Sequence, residues 1–174
     1  KEFWSKARNH KITSMSGVPV FFQILIRMGL EKMDTPSLRQ MTQAGGRLSN
    51  SLSKKVVAFA SENGMEFITM YGQTEASPRM SYLDWAHAET KIGSIGKPIP
   101  KTHMWLESED GETINIPDQQ GEIIFSGRNV CLGYAEKAAD LSRGDENLGI
   151  IRTGDLATFD DEKFYYITGR LKRI

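Results

Sequence analysis

The fold of this chain is decided by one stretch, Phe67-Ile68-Thr69-Met70-Tyr71-Gly72-Gln73-Thr74-Glu75-Ala76-Ser77. The apolar run that ends at Tyr71 is typical of a short buried strand. Gly72 lets the backbone come close to a ligand, and Thr74 and Glu75 offer a hydroxyl and a carboxylate, the latter suited to a divalent ion. The stretch predicts a strand that leads into a phosphate-binding loop, although an ordinary strand with a polar exit would carry the same residues.

The residues before this strand predict a parallel α/β arrangement. Helices are expected over residues 19–28 and from Ser49 or Ser51 to Asn63-Gly64. Between them, a strand candidate over residues 37–43 runs into Gly45-Gly46. Strand, helix and strand in this order predict a right-handed crossover and two parallel strands. Because ligands bind outside the carboxyl ends of such strands, we expect the glycine pair and the loop that begins at Gly72 to share one edge.

The second half of the chain has a different character. Glycines and prolines separate short segments that favour strands, over residues 102–106, 122–125, 150–153, 156–159 and 164–168. Turn signals at such intervals predict a small antiparallel sheet or barrel. We therefore expect an α/β portion over residues 1–91 and a strand-rich, β-barrel-like portion over residues 92–174.

Two predicted turns of the strand-rich portion carry side chains that suit a nucleotide. In Thr153-Gly154-Asp155 a carboxylate follows a glycine between two strands, where it can accept hydrogen bonds from both hydroxyls of a ribose. Gly169-Arg170 follows an apolar strand, and the guanidinium can bind hydroxyls or a phosphate with two donors. Judged singly, an ordinary turn and a surface ion pair explain these residues as well.

The composition argues against several classes of protein. Lys and Arg together number 22, as do Asp and Glu, so nothing suggests a nucleic-acid partner. The longest apolar stretch, residues 18–26, is far shorter than the ~20 residues that a membrane span needs. Cys131 is the only cysteine, which excludes an internal disulfide and favours a reducing, cytoplasmic location. A start at Lys1 rather than methionine suggests a piece of a longer protein.

Six motifs occur in a fixed order along the chain. They are Tyr71-Gly72-Gln73-Thr74-Glu75, Gly93-Ser94-Ile95-Gly96-Lys97-Pro98, Gly121-Glu122-Ile123, Gly133-Tyr134, Thr153-Gly154-Asp155-Leu156 and Gly169-Arg170-Leu171-Lys172. Their order and spacing resemble the AMP-forming adenylate-forming superfamily, which includes acyl- and aryl-CoA synthetases, luciferases and the adenylation domains of peptide synthetases. Gly17-Val18-Pro19 and Ala44-Gly45-Gly46 also look like counterparts, so the resemblance covers almost the whole chain.

The resemblance implies a nucleotide site in the first part of the chain. Tyr71 resembles the aromatic residue that stacks on adenine, with Gly45 and Gly46 across from it, and Gly72 follows in the same nucleotide-binding motif. Thr74 resembles the catalytic hydroxyl that contacts the α-phosphate. Glu75 resembles the catalytic carboxylate that holds magnesium.

The resemblance also implies roles in the strand-rich portion. Asp155 looks like the aspartate that binds ribose, and Arg170 like the arginine beside it. Lys172 falls at the family's interdomain hinge, about which a small C-terminal domain rotates between two half-reactions. Most members carry aspartate at the hinge and some carry lysine, so this departure is mild.

The implied activity is that of an acyl-CoA synthetase. Such an enzyme joins a carboxylic acid to AMP from ATP, with Mg²⁺, and then transfers the acyl group to the thiol of coenzyme A. An enzyme that loads the phosphopantetheine arm of a carrier protein is an alternative, and a non-catalytic nucleotide-binding module is another. The family's phosphate loop would lie upstream of Lys1 and its catalytic lysine beyond Ile174, so the fragment alone is expected to be inactive.

Overall fold

The computed structural model describes residues 2–30 and 34–171. The chain divides into two compact units, a first unit of residues 1–71 and 83–94 and a second unit of residues 72–82 and 95–174. Residues 72–82, which the sequence analysis assigned to the α/β portion, thus cluster with the strand-rich one. A domain boundary between residues 91 and 92 stays a prediction.

The first unit alternates helices and strands. Its elements are α1 (Glu2–Asn9), β1 (Ser14–Gly17), α2 (Pro19–Arg27), β2 (Gln40–Gln43), α3 (Asn50–Glu62) and β3 (Glu66–Tyr71), followed by a short 3₁₀ turn (Trp85–His87). Strand β2 pairs in parallel with β1 on one side and with β3 on the other. The mixed α/β architecture is therefore confirmed, as are the parallel strands expected before and after the second predicted helix, which are β2 and β3 on either side of α3.

The two longer helices of the first unit begin and end where their sequences indicate. Ser49 is the N-cap of α3, and Gly64 follows its C-cap with a φ of +63°, which glycine adopts without strain. Helix α2 begins at Pro19, a position that suits the fixed φ of proline. The sequence predicts that α2 is buried all round, but Val20 and Ile24 are exposed. Val20 and Ile24 are four residues apart and therefore share one face of α2, which is exposed. Only the other face of the helix packs on the core.

The core of the first unit lies between the parallel strands and the helices. Phe22 of α2, Met41 of β2, Val56 of α3 and Phe67 of β3 are almost completely buried in one cluster. The rings of Phe22 and Phe67 meet edge to face at 5.3 Å between centroids, a favoured aromatic geometry. This packing fixes β3, and with it the point at which the chain leaves for the loop at Gly72.

The second unit is built on a five-stranded antiparallel sheet. Its strands are β6 (His103–Glu107), β7 (Thr113–Ile114), β8 (Gly121–Ser126), β9 (Ile150–Phe159) and β10 (Tyr165–Arg170). Their order across the sheet is β10-β9-β8-β6-β7. Ser81 and Tyr82 of β4 (Ser81–Leu83) pair with β5 (Lys97–Pro98), and two 3₁₀ turns span Thr74–Ala76 and Ala138–Ser142. The antiparallel sheet expected from the turn spacing is confirmed.

Two local predictions are wrong in the second unit. Thr153-Gly154-Asp155 is not a turn between two strands but a bulge inside the continuous strand β9. Glu122 of β8 pairs with Leu156 and Ile124 pairs with Arg152, so three residues of β9 lie opposite Ile123 alone. Gly154 has a φ of +73°, which lets the bulge form without breaking the strand. Gly169-Arg170 likewise lies inside β10 rather than after it.

Candidate functional site

The carboxyl ends of β2 and β3 place two predicted site elements at one edge of the first unit. Gln43, the last residue of β2, pairs with Thr69 of β3 in a parallel register. The chain beyond Gln43 enters the glycine pair, while β3 ends at Tyr71. This register brings the Gly45-Gly46 turn to the edge at which β3 ends with Tyr71. The expectation that the loop beginning at Gly72 shares this edge stays a prediction, because that loop belongs to the second unit.

The glycine pair is required by the backbone and by close packing. Gly45 and Gly46 have φ angles of +75° and +151°, a region that favours glycine. A Cβ atom on Gly45 would lie 3.2 Å from Val18 Cγ1, and one on Gly46 would lie 3.3 Å from Pro19 Cγ. The side-chain amide of buried Gln43 donates to the Gly46 carbonyl at 2.7 Å. The turn is thus held in a shape that leaves its backbone open to a flat ligand.

The loop that follows β3 belongs to the second unit and packs tightly on itself. A Cβ atom on Gly72 would overlap the Pro78 carbonyl oxygen and lie 3.1 Å from the Arg79 Cα. Thr74 is exposed at the start of the 3₁₀ turn, and Glu75 is half-buried next to it. Gly72 is therefore the residue that allows the loop to fold back and present these two side chains.

Asn129 anchors the far side of this loop. Its side-chain NH₂ donates to the carbonyl of Ala76 at 2.6 Å and to that of Arg79 at 2.9 Å. In return, the hydroxyl of Ser77 donates to the Asn129 carbonyl at 3.0 Å. Ser77 has a φ of +56°, an uncommon angle for a residue other than glycine, and these bonds help to hold it there.

Residues just after Asn129 bind Glu75 at two points. The backbone N–H of Cys131 donates to the Glu75 carbonyl at 2.7 Å. The phenol of Tyr134 donates to the Glu75 carboxylate Oε1. The amide of Asn147 donates to the Cys131 carbonyl at 2.8 Å, which ties this segment to the start of β9. Both the backbone and the side chain of Glu75 are thus fixed by the same segment.

Gln73 connects the loop to the β9 bulge. Its side-chain amide donates to the Thr153 carbonyl at 2.8 Å and lies 3.4 Å from a carboxylate oxygen of Asp155. The structure therefore brings together, within one unit, two motifs that are about eighty residues apart in the sequence.

Asp155 and Arg170 are cross-strand neighbours. They face each other in the register of β9 and β10, and Arg170 Nε lies 3.7 Å from Asp155 Oδ1. The Asp155 side chain is 16% exposed and that of Arg170 is 76% exposed. The backbone N–H of Leu171 donates to the Gly154 carbonyl at 2.7 Å, which joins the two strands beside the bulge. The pair predicted from separate motifs is therefore adjacent in the structure.

A buried carboxylate holds the bulge from below. Glu122 Oε1 accepts the backbone N–H of Gly154 at 3.0 Å, and Oε2 accepts two donors of Arg152 at 2.9 and 3.1 Å. Arg152 also donates to Glu107 at 2.6 Å, and Glu107 accepts the indole N–H of Trp105. The Trp105 and Arg152 donors lower the pKa of Glu107, and the hydrogen bond to Glu107 raises the pKa of Arg152.

Some of these residues line a cavity of about 790 Å³ in the second unit. Its walls include Gln73, Glu75, Tyr134, Gly154 and Arg170. A volume of this order suits a small molecule of nucleotide size. The Glu75 carboxylate and the Arg170 guanidinium among these residues give the cavity acceptors and donors for a polar ligand.

Each predicted site residue can now be located. Glu75, Asp155 and Arg170 lie in the second unit, together with Gly72 and Thr74, whereas Gly45, Gly46 and Tyr71 lie in the first. The hinge prediction at Lys172 lies outside the described residues. Sequence reasoning gave no role to Gln73, Glu122, Asn129 or Tyr134. Three of these four occur in or beside the quoted motifs, which is the signal that could have indicated them.

The fold is that of part of the large domain of adenylate-forming enzymes, and the comparisons with known proteins agree. A family model described as AMP-binding enzyme matches residues 1–135, and this chain belongs to that family. No helix in residues 2–30 or 34–171 has the length and apolar character needed to cross a bilayer.

Individual relatives make the similarity concrete. A feruloyl-CoA synthase of Amycolatopsis sp. is 33% identical over 172 residues, covering 97% of this chain and 33% of that protein. A long-chain-fatty-acid–CoA ligase of Bacillus subtilis (strain 168) is 31% identical over 166 residues, covering 95% of this chain and 29% of that protein. The chain thus spans about a third of the length of these curated relatives.

A solved structure shows the same likeness. It is the o-succinylbenzoate coenzyme A synthetase of Bacillus subtilis in complex with ATP and magnesium ion, which is 27% identical with a TM-score of 0.77. The superposition covers 97% of this chain and 34% of that chain. The fold class and the family inferred from the six motifs are therefore confirmed.

Proposed function

We propose that the complete protein is an AMP-forming acid–thiol ligase. It would join a carboxylic acid to AMP from ATP, release pyrophosphate, and transfer the acyl group to the thiol of coenzyme A. The observation that carries the proposal is the grouping, in one unit, of Glu75 and Arg170, which line a cavity of about 790 Å³, with Asp155, which lies 3.7 Å from Arg170. The curated relatives are CoA synthases and ligases, which favours coenzyme A as the acceptor.

The family resemblance supports a proposed contact with one part of a nucleotide for each of several residues. Tyr71 would stack on adenine, opposite the open backbone of Gly45-Gly46. Asp155 would accept the ribose hydroxyls, since its carboxylate is already oriented by Gln73 and Arg170. Thr74, exposed at the start of its turn, would donate its hydroxyl to the α-phosphate.

The residues present fit a magnesium ion that arrives with ATP. No group of three His, Cys, Asp or Glu side chains that could hold a metal occurs in the described part of the chain. Mg²⁺ does not need such a cage, because it is usually held by one or two carboxylates, by water and by substrate phosphates. Glu75 would supply that carboxylate, and the ion would neutralise charge on the phosphates. Catalysis by these residues is then mainly positioning and charge stabilisation.

Asp155→Asn is expected to weaken AMP binding about tenfold, because hydrogen bonds to a charged acceptor contribute about 1.5–3 kcal/mol. Asparagine keeps the shape of the side chain but loses the charge and one acceptor. Calorimetric titration of the complete protein with AMP measures the change. The matched control is Asp161→Asn, at an exposed position between β9 and β10. Equal AMP affinity of both variants would contradict the ribose-binding role.

The proposed reaction is tested by carboxylate-dependent exchange of pyrophosphate into ATP, using the complete protein and a panel of aliphatic and aromatic acids. Exchange with at least one acid is expected. Subsequent release of AMP on adding coenzyme A, and not on adding a phosphopantetheinylated carrier protein, identifies the acceptor. Nucleotide binding without exchange would favour the non-catalytic module instead. Inactivity of the 174-residue chain alone and a cytoplasmic location stay predictions.

A further inference from the structure

We infer that Tyr134 is a positioning residue that orients the Glu75 carboxylate toward the metal ion. This inference rests on the proposed function, because it concerns the same magnesium site. Its basis is the hydrogen bond from the Tyr134 phenol to Glu75 Oε1, made across the rim of the cavity that both residues line.

The contact between Tyr134 and Glu75 adds to a second hydrogen bond that already holds Glu75. The Glu75 carbonyl is already held by the N–H of Cys131, three residues before Tyr134. One short segment therefore fixes the backbone of Glu75 and also the end of its side chain. A carboxylate whose backbone alone is fixed can still rotate about its side-chain bonds, and the phenol removes that freedom. The orientation is then set before a ligand arrives.

The segment that carries Tyr134 is itself held in place. The N–H of Glu146 donates to the Leu132 carbonyl at 2.7 Å, and the Asn147 amide donates to the Cys131 carbonyl at 2.8 Å. Gly133 has a φ of +151°, and a Cβ atom there would lie 2.7 Å from the Glu146 carboxylate. The phenol is thus presented from a segment in which the two carbonyls just before Gly133, those of Cys131 and Leu132, are both hydrogen-bonded.

The exposure of Tyr134 argues against a packing role. The residue is 71% exposed, so its ring contributes little apolar burial to the sheet. Its phenol instead makes the hydrogen bond to Glu75. A carboxylate has about four acceptor sites on its two oxygens, so it can accept the phenol and bind a cation at the same time. The hydrogen bond from Tyr134 therefore leaves the Glu75 carboxylate able to bind the metal ion.

The test is a Mg²⁺ titration of ATP binding by the complete protein, followed calorimetrically, for Tyr134→Phe. We expect the Mg²⁺ concentration at half-saturation to rise about tenfold, the lower end of the cost of removing a partner that orients a metal ligand. AMP affinity in EDTA should stay within about twofold, because no metal takes part. The control is Tyr82→Phe, at a 40% exposed tyrosine of the same unit, which should match wild type in both measurements.

A double-mutant cycle separates positioning from a general effect. In a Glu75→Gln background, Tyr134→Phe should cause no further change in the Mg²⁺ dependence, because coupled residues are not additive. Superposable titrations of Tyr134→Phe and wild type, an equal effect in both backgrounds, or a parallel loss of AMP affinity in EDTA would each overturn the inference. Wild-type protein that binds Mg²⁺ and ATP but shows no exchange with any acid would instead overturn the proposed reaction.

Discussion

Glu75→Gln is expected to lower carboxylate-dependent exchange of pyrophosphate into ATP about 100-fold, a typical cost of losing one electrostatic contact in a transition state. Glutamine has nearly the same shape, so the bond from the Cys131 N–H to the backbone of residue 75 should persist. The neutral amide does not replace the charge that binds Mg²⁺. The exchange rate of the complete protein is measured with saturating ATP and acid over a range of Mg²⁺ concentrations.

The matched control is Glu109→Gln, which removes the same charge from an exposed turn between β6 and β7. That variant should exchange at the wild-type rate. AMP binding by Glu75→Gln in EDTA should also be unchanged, since AMP needs no metal. If exchange by the Glu75→Gln protein showed the wild-type dependence on Mg²⁺ concentration, Glu75 would not be a ligand of the metal ion. This conclusion would hold for whichever acid was used.

Gly72→Ala is expected to lower the free energy of unfolding by about 3 kcal/mol, the upper end of the usual cost of overpacking. The added methyl group would overlap the Pro78 carbonyl oxygen and lie 2.7 Å from its carbon. The atoms in the way belong to the backbone, so no flexible side chain can move aside. Urea denaturation measures the loss as a lower midpoint at an unchanged slope.

Gly169→Ala is the control for this substitution. A Cβ atom there would meet only Leu156 Cδ1, at an ordinary van der Waals distance of 3.8 Å. Its stability should therefore stay within about 0.5 kcal/mol of wild type, as for substitutions that create no clash. If Gly72→Ala were as stable as Gly169→Ala, the loop would have another way to fold, and the close approach would not be needed.

The sequence predicted the fold best where local pattern and burial agree. The apolar run that ends at Tyr71 forms a strand over the predicted residues, in which Phe67 is buried in the core and the four residues after it are half-buried. The prediction failed at Thr153-Gly154-Asp155 for a physical reason. A glycine followed by an aspartate is a local turn signal, but the buried Glu122 carboxylate accepts the Gly154 N–H and keeps the strand continuous. That interaction joins residues that are distant in the sequence.

In the candidate site too, residues with a local sequence signal were predicted and residues that act through distant partners were not. The residue types and motif order suggested Glu75, Asp155 and Arg170, because each carries a charged group beside a glycine or a strand end. The residues that hold them could not be found in this way. Gln73 and Tyr134 act through partners 59 to 82 residues away, and no local pattern specifies which side chain a folded chain will bring opposite another. Their roles became visible only as contacts.

The bulge in β9 also lets this strand carry unpaired residues without turning its core face outward. The strand has three residues opposite Ile123, which is a surplus of two. Because side chains alternate with a period of two, this even surplus leaves Thr153, Ala157 and Phe159 on the buried face along the whole strand. Deletion of a single residue from a regular strand would exchange the inner and outer faces of everything that follows, whereas a bulge takes up a change in length locally. The backbone around Gly154 can therefore depart from the ladder beside Asp155 while Ala157 and Phe159 stay in the core.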